Sequence, residues 1–236
     1  MSVYKNIIQA QKENKKLLSI LIDPDKFEIN YAYAKAYIKK LPTTTTHLFI
    51  GGSTDENAKT ESVVTLLKEV TQLPIILFPG NYTQITPEAH CLLFLSLISG
   101  DNPEYLIHQQ RKAARIIQQS GLEIIPTGYI LIDGGSVTAV QRVSNTLPLS
   151  QNNPEQIIET ALAGQFLGKK MLYLEAGSGA KNAINPSIIN TVCNEVTIPI
   201  IVGGGITSNR QLQQAYNAGA TMVVIGTAFE NDNWES

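Results

Sequence analysis

Short apolar segments alternate with amphipathic ones along almost the whole chain, about eight times. The apolar segments are rich in Ile, Leu and Val, as expected for strands of a parallel sheet that is covered on both faces. They are Leu17–Ile22, His47–Ile50, Pro74–Phe78, Cys91–Leu95, Ile124–Ile132, Met171–Glu175, Ile198–Val202 and Thr221–Ile225. Because no Gly/Ser-rich linker divides the repeats, we predict a single domain over residues 1–236 with the fold of an α/β (β/α)8 TIM barrel.

The amphipathic segments predict helices, the first of which would close one end of the barrel. The predicted helices are Val3–Asn14, Tyr31–Lys40, Glu56–Thr71, Glu104–Ser120, Glu155–Phe166 and a segment that begins near Ser208. The third β/α unit is predicted to be irregular, because Pro79-Gly80 breaks its strand and the segment after it is short. The polar stretch Thr138–Gln151 predicts a loop or lid.

The composition argues against three classes of function: extended nucleic-acid binding, zinc or redox chemistry at cysteines, and a role within the membrane. The 236 residues are 43% hydrophobic and carry a net charge of −2, without a stripe of Lys and Arg, which argues against extended nucleic-acid binding. The two cysteines, Cys91 and Cys193, have neither zinc nor CxxC spacing and predict free thiols in a reducing compartment. A polar N-terminus and the lack of a long apolar run predict a soluble cytoplasmic protein without a transmembrane segment.

Glycine follows three successive strands at the end where the next helix begins. The loops are Gly177-Ser178-Gly179, Gly203-Gly204-Gly205 and Gly226-Thr227. One such loop is often only a tight turn, but consecutive ones expose backbone N–H groups that can bind an anion without Lys or Arg. In TIM barrels the loops after the seventh and eighth strands frequently bind phosphate. We therefore predict a phosphate site at these loops.

Carboxylates stand at the ends of two predicted strands. Glu175 ends the sixth strand, one strand away from the phosphate loops, and Asp23 ends the first. A hard oxygen ligand such as Asp23 suits Mg²⁺, and the Ser53 or Thr54 hydroxyl after the second strand could reach a diphosphate or its metal. Asp25 is at least as well explained as a helix cap, and His47 begins its strand and is interpreted as structural.

These groups suit a direct transfer between two phosphorylated substrates. No His, Cys or Lys in these loops is placed as an activated nucleophile, and no Ser-His-Asp arrangement is present. The available groups are therefore one carboxylate base, one metal and two phosphate sites. A base would take a proton from a hydroxyl while the metal stabilises a leaving diphosphate. Two alternatives stay open: a phosphate-binding barrel isomerase or lyase, and a non-catalytic sensor of a phosphorylated metabolite.

Several motifs together resemble the geranylgeranylglyceryl phosphate synthase family. They are Leu-Ile-Asp-Pro-Asp-Lys at 21–26, Phe-Ile-Gly-Gly-Ser at 49–53, Leu-Phe-Pro-Gly-Asn at 77–81, Thr-Gly-Tyr-Ile at 127–130, Tyr-Leu-Glu-Ala-Gly-Ser-Gly at 173–179 and Val-Gly-Gly-Gly-Ile at 202–206. The Tyr-Leu-Glu-Ala-Gly-Ser-Gly and Asp-Pro-Asp-Lys motifs are the most specific of these.

The resemblance implies a Mg²⁺-dependent prenyltransferase. It would join geranylgeranyl diphosphate to the C3 hydroxyl of sn-glycerol 1-phosphate, with Glu175 as the base, and Asp23 and Ser53 would hold the metal. The implied glycerol phosphate site comprises Tyr173, Leu174, Glu175, Ala176, Gly177, Ser178, Gly179, Gly203, Gly204, Gly226 and Thr227. Lys26 and Tyr129 would lie on the prenyl diphosphate side, next to an apolar groove for the tail. The resemblance also implies a homo-oligomer, and a longer donor such as heptaprenyl diphosphate remains an alternative.

Overall fold

The computed structural model describes residues 2–52, 55, 58–230 and 234. Eight parallel strands pair in chain order and close into one barrel, since β8 pairs with β1. The strands are β1 (Leu17–Ile22), β2 (Thr45–Ile50), β3 (Ile75–Leu77), β4 (Cys91–Leu97), β5 (Glu123–Leu131), β6 (Met171–Glu175), β7 (Ile200–Gly203) and β8 (Met222–Ile225). Each overlaps a strand predicted from the apolar pattern, so the predicted TIM barrel is confirmed.

Helices surround the barrel and follow most of the strands. They are α1 (Val3–Lys12), α2 (Tyr31–Lys40), α3 (Thr60–Val70), a π-helical turn (Glu104–His108) that continues into α4 (Gln109–Ser120), α5 (Ala139–Ser144), α6 (Pro154–Phe166), α7 (Pro186–Glu195), α8 (Asn209–Asn217) and α9 (Thr227–Glu230). In the part of the chain that the structure describes, none of these helices is long and apolar enough to cross a membrane.

The core has two layers, because side chains alternate between the two faces of each strand. On β6, Leu172 and Leu174 point outward into the layer between strands and helices. Met171 and Tyr173 point into the barrel, where they pack in a second cluster with Ile7 of α1. The same alternation turns Glu175 inward.

Helix α1 closes the barrel at the amino-terminal ends of the strands, as predicted. The carboxylate of Glu123, the first residue of β5, accepts hydrogen bonds from the start of this helix: from the Ser2 hydroxyl at 2.5 Å, the Val3 N–H at 2.6 Å and the Tyr4 N–H at 3.1 Å. A negative charge at a helix N-terminus is stabilising, so Glu123 holds α1 in place. Because α1 closes this end of the barrel, we call it the plug.

His47 and Cys91 are among the side chains buried inside the barrel, away from the ends of the strands where chemistry occurs. Burial lowers the pKa of His47 to about 4, and its Nδ1 lies 2.8 Å from the Thr46 hydroxyl. Cys91 is a free, fully buried thiol, and desolvation raises its pKa well above the ordinary range. Cys193 is free and partly buried. The structural interpretation of His47 agrees with this position.

The irregular third unit is confirmed, since residues 78–90 between β3 and β4 form turns and no helix. Helix α2 begins at Tyr31 as predicted, whereas α3 begins later than the predicted Glu56. Helix α3 begins at Thr60 because the Asp55 carboxylate accepts the backbone N–H groups of Lys59 and Thr60. Helix α2 is capped by Asn30, whose side chain accepts the Tyr33 N–H, and not by Asp25.

The predicted loop or lid at Thr138–Gln151 contains helix α5, so the loop prediction was wrong for residues 139–144. The Thr138 hydroxyl accepts the Gln141 N–H and caps this helix. A helix of six residues is too short to leave a clear periodicity in a polar sequence.

Candidate active site

A cleft of about 300 Å³ opens at the carboxyl ends of the strands. It brings together segments that follow β1, β6, β7 and β8, as predicted for the mouth of a barrel. Eleven of the residues proposed from the sequence line it: Asp23, Lys26, Tyr129, Tyr173, Glu175, Gly177, Ser178, Gly179, Gly204, Gly226 and Thr227.

Glu175 is the acid at the centre of the cleft. As the last residue of β6 it lies in register with Leu131 of β5 and Gly203 of β7, and it is 6% exposed. The backbone N–H of Gly177 donates a hydrogen bond to its Oε1 at 2.7 Å. Burial raises the pKa of Glu175 to about 7, against the lowering effects of the Tyr173 hydroxyl and the Gly177 N–H. Near neutral pH this carboxyl can therefore both give and take a proton.

The Tyr173 side chain lies beside this carboxylate inside the barrel. Its hydroxyl is buried and makes no hydrogen bond of regular geometry with any described residue. Burial, followed by the negative charge of Glu175, raises the pKa of Tyr173 well above 10, so the hydroxyl stays protonated. It can therefore donate a hydrogen bond to an oxygen atom that enters the cleft.

Two glycines of β7 and its loop leave space for these side chains. A Cβ on Gly203 would lie 2.5 Å from the Tyr173 hydroxyl and 2.7 Å from Oε2 of Glu175. A Cβ on Gly204 would lie 2.6 Å from the Gly177 nitrogen, and the φ of +80° at Gly204 is one that L side chains rarely adopt. Glycine is thus required here for the loops after β6 and β7 to meet.

The loops after β6 and β8 are joined by a contact between two hydroxyls. The oxygens of Ser178 and Thr227 lie 2.9 Å apart, so one donates to the other. This side of the cleft consists of hydroxyls and glycine backbone. Among the described residues that line the cleft, the positively charged side chain is that of Lys26, which lies on the opposite, β1 side. The arrangement suits a phosphate bound by N–H and O–H donors.

The side of the cleft that follows β1 carries an ion pair. Lys26 Nζ lies 3.2 Å from Oδ2 of Asp23, whose Oδ1 accepts the N–H of Asp25. Among the described residues there is no group of three or more His, Cys, Asp and Glu side chains that could hold a metal ion. A lone carboxylate with hard oxygens still fits Mg²⁺ when a substrate diphosphate completes the coordination. Ser53, the second proposed ligand, lies outside the described residues.

An apolar groove of about 120 Å³ continues from the cleft toward α4. The two spaces share four lining residues: Gly52, Phe78, Tyr129 and Val140. The Phe78 ring is 6.1 Å from the Tyr129 ring and 5.1 Å from the Tyr173 ring, measured between centroids. These three rings form the floor on which the polar cleft meets the apolar groove.

Of the proposed residues that the structure describes, three are not among those that line the cleft. Leu174 and Ala176 are fully buried in the outer layer of the core. Gly203 acts through the space that it leaves for Tyr173 and Glu175. Leu174 could have been excluded from the sequence alone. It directly precedes Glu175 on β6, and adjacent side chains of a strand face opposite sides of the sheet.

Sequence reasoning also missed lining residues. Ala139 and Val140 of α5 border the cleft, and they were overlooked because this segment was predicted as a loop. The residues after Gly204, namely Gly205, Ile206 and Thr207, also line it and could have been included from the extent of the glycine-rich loop.

Comparison with known proteins gives a consistent result. Residues 9–236 match the model of the PcrB family. The chain is 55% identical over 230 residues to a geranylgeranylglyceryl phosphate synthase of Zunongwangia profunda, covering 97% of each chain. It is 49% identical to the protein of the same name in Flavobacterium johnsoniae, covering 98% of this chain and 95% of the other.

A solved structure is also similar. It is the (S)-3-O-geranylgeranylglyceryl phosphate synthase of Thermoplasma acidophilum in complex with its substrate sn-glycerol-1-phosphate. The two chains share 31% sequence identity and superpose with a TM-score of 0.89, covering 98% of this chain and 92% of the other.

Proposed function

The chain belongs to the PcrB family, and from that premise we propose that it joins a geranylgeranyl group to the C3 hydroxyl of sn-glycerol 1-phosphate. The products are an ether-linked prenylglyceryl phosphate and diphosphate. The observation that carries this proposal is the position of Glu175, a buried carboxylate with a pKa of about 7 in a cleft that continues into an apolar groove.

The acceptor, glycerol 1-phosphate, binds on the side of β6, β7 and β8. Its phosphate lies against the glycine loops, where backbone N–H groups and the hydroxyls of Ser178 and Thr227 donate hydrogen bonds. This anchoring directs the glycerol hydroxyls toward the centre of the cleft. The protonated hydroxyl of Tyr173 helps to orient them beside Glu175.

Glu175 then acts as the base. Its carboxylate takes the proton of the C3 hydroxyl, and the oxygen forms a bond to C1 of the prenyl chain while the bond from C1 to the diphosphate oxygen breaks. Glu175 is 6% exposed, so little water competes for its carboxylate. Because its pKa lies near the working pH, the carboxylate is partly ionised and is a competent proton acceptor.

The donor diphosphate lies on the β1 side, next to the ion pair of Lys26 and Asp23. Asp23, with Ser53 as a second ligand, would hold a magnesium ion, which when bound supplies positive charge to the leaving diphosphate. Lys26 supplies a further positive charge on the same side. Its side chain is 61% exposed, so it can turn from Asp23 toward the diphosphate oxygens.

The prenyl tail occupies the apolar groove, and Tyr129 lies where the tail leaves the cleft. The groove is lined by the connection from β3 to β4, by β4 itself and by α4 and α5. Geranylgeranyl diphosphate is the donor in this proposal, and heptaprenyl diphosphate is the alternative. The homo-oligomer and the cytoplasmic location expected from the sequence stay predictions.

Mass spectrometry of a reaction mixture tests the proposal. The protein, Mg²⁺, glycerol 1-phosphate and geranylgeranyl diphosphate should yield the prenylglyceryl phosphate and diphosphate. Omission of Mg²⁺, or an excess of chelator, should abolish the product. Tight phosphate binding without product from any prenyl donor would favour a sensor, and conversion of a phosphorylated metabolite without a prenyl donor would favour an isomerase or lyase.

A further inference from the structure

Large exposed hydrophobic side chains concentrate at the face of the barrel where the cleft opens. Two of them, Tyr82 and Val143, line the apolar groove, and Ile107, Val137 and Leu147 lie in the same connections between strands. We call these five residues the groove-side rim. All five lie in the connections that follow β3, β4 and β5. Because such connections share one face of a barrel, the rim is a feature of the mouth.

Several apolar side chains at this face are more than half exposed. The exposed fraction is 62% for Val137, 77% for Leu147 and 52% for Ile107. Across the mouth, in the connection after β1 and the first turn of α2, Ile29 and Tyr31 are 50% and 52% exposed. A group of exposed apolar side chains around the entrance to a binding site is typical of an interaction surface.

Hydrogen bonds hold the rim to the wall of the groove. The Tyr105 hydroxyl donates to the Val143 carbonyl oxygen at 3.2 Å, and the Asn102 side chain donates to the Ser144 carbonyl oxygen at 2.7 Å. Tyr105, Val143 and Ser144 also line the groove. The rim is therefore continuous with the apolar surface that would receive a tail.

We propose that the groove-side rim docks on the surface of a lipid bilayer, from which the prenyl donor enters the groove. This proposal rests on the proposed function, since a long prenyl tail partitions strongly into membranes and is scarce in water. The Arg142 guanidinium donates a 3.1 Å hydrogen bond to the carbonyl oxygen of Val137 and so lies next to the rim. The rim therefore combines apolar side chains with a positive charge that suits lipid phosphates.

The chain offers a matched pair of double variants. Val137→Ser with Leu147→Ser removes two exposed side chains of the rim, neither of which lines the cleft or the groove. Phe166→Ser with Leu167→Ser removes two side chains of 79% and 75% exposure at the carboxyl end of α6. Because α6 runs from the mouth toward the opposite face, the second pair is the control.

Co-sedimentation with vesicles gives the first readout. The unmodified protein should bind vesicles of phosphatidylethanolamine and phosphatidylglycerol, and the rim variant should bind about tenfold more weakly because two apolar contacts are lost. The control variant should bind like the unmodified protein. Equal binding by both variants, or failure of the unmodified protein to bind, would overturn the proposal.

Turnover with two donors gives the second readout. With geranylgeranyl diphosphate embedded in the vesicles, the rim variant should show a raised KM. With geranyl diphosphate dissolved in water, its rate should match that of the unmodified protein. If neither donor reacts, the proposed function fails, while vesicle binding still decides the docking proposal. A change of oligomeric state in the rim variant, measured by light scattering, would show instead that the rim joins copies of this chain.

Discussion

Glu175 combines two properties that oppose each other. Its carboxyl is buried, which favours the neutral form, yet catalysis of proton transfer requires the ionised form. The N–H of Gly177 and the hydroxyl of Tyr173 offset part of the desolvation, and the pKa settles at about 7. We expect this compromise to reduce the stability of the folded protein.

The variant Glu175→Gln should be inactive and, at alkaline pH, more stable. The folded carboxyl keeps its proton up to a pKa of about 7, whereas the unfolded one releases it near 4.5. The free energy of unfolding therefore falls as the pH rises between these values and stays lower above them. Gln is neutral at every pH, so the variant should gain about 3 kcal/mol over the unmodified protein near pH 8 and nothing near pH 4.

Denaturant unfolding at the two pH values and steady-state kinetics test this prediction. Turnover should fall by about a hundredfold or more while both substrates still bind, because the base is lost and the shape is kept. Glu159→Gln, on the exposed face of α6, is the control and should show neither effect. Full activity in Glu175→Gln would remove this residue from the proton transfer.

The sequence predicted the acid but not its immediate surroundings. Glu175 could be found because it ends an apolar strand and precedes a glycine loop. The contact between Tyr173 and Gly203 could not, since it depends on the register between β6 and β7. Asp25 shows the opposite error, because a good capping residue was overridden by Asn30 closer to the helix.

Helix α1 shows how one short element is fixed far from the chemistry. The N–H groups of Val3 and Tyr4 and the Ser2 hydroxyl donate hydrogen bonds to the carboxylate of Glu123, at the far end of the barrel from the cleft. Charge-assisted hydrogen bonds of this kind are stronger than neutral ones. The anchoring of the plug should therefore depend on the negative charge.

The variant Glu123→Gln should destabilise the protein by about 1–3 kcal/mol without changing kcat. The loss would appear as a lower midpoint in thermal or denaturant unfolding. Glu13→Gln removes an exposed carboxylate paired with Lys15 and should leave stability unchanged. A fall in kcat for Glu123→Gln would mean that the plug is coupled to the active site.

Elements with strong apolar patterns were predicted well, and short or polar ones were not. The eight strands and most of the long helices follow from repeated apolar positions, but α7 (Pro186–Glu195) was not predicted. Helix α5 rests on a Thr138 cap and a few contacts with the mouth, which a polar sequence does not reveal. The π-helical turn Glu104–His108 was likewise read as ordinary helix.

At the scale of the whole molecule, the polar cleft and the apolar groove divide the two substrates between them. The acceptor site uses residues from the last part of the chain, and the groove uses residues between β3 and α5. The two regions meet where β5 pairs with β6, and the pairing of β8 with β1 brings the β1 side of the cleft next to the acceptor site. The identity of the tail then depends on the length of the open groove.

The variant Ala113→Leu tests the groove. Ala113 is a buried residue of α4 that lines the groove but not the cleft. The larger side chain should fill tail space and lower kcat/KM for geranylgeranyl diphosphate by about tenfold, with little effect on geranyl diphosphate. Ala114→Leu, exposed on the same helix, is the control. An equal loss for both donors would place the tail elsewhere.

The arrangement of the barrel was predictable because eight similar β/α units leave few other ways to bury their strands. The groove was implied only by family resemblance. It depends on how the irregular third unit, α4 and α5 meet, and those contacts join parts of the chain that are far apart in sequence.

The thiol of Cys91, sealed among the strands, has a practical consequence for studies of motion. Because the fully buried thiol is held in its unreactive protonated form, a labelling reagent can modify it only when the strands separate. Cys193 is partly accessible on the outer helices and would react sooner. The ratio of the two labelling rates therefore distinguishes local fraying of the outer helices, which exposes Cys193, from separation of the barrel strands, which exposes Cys91.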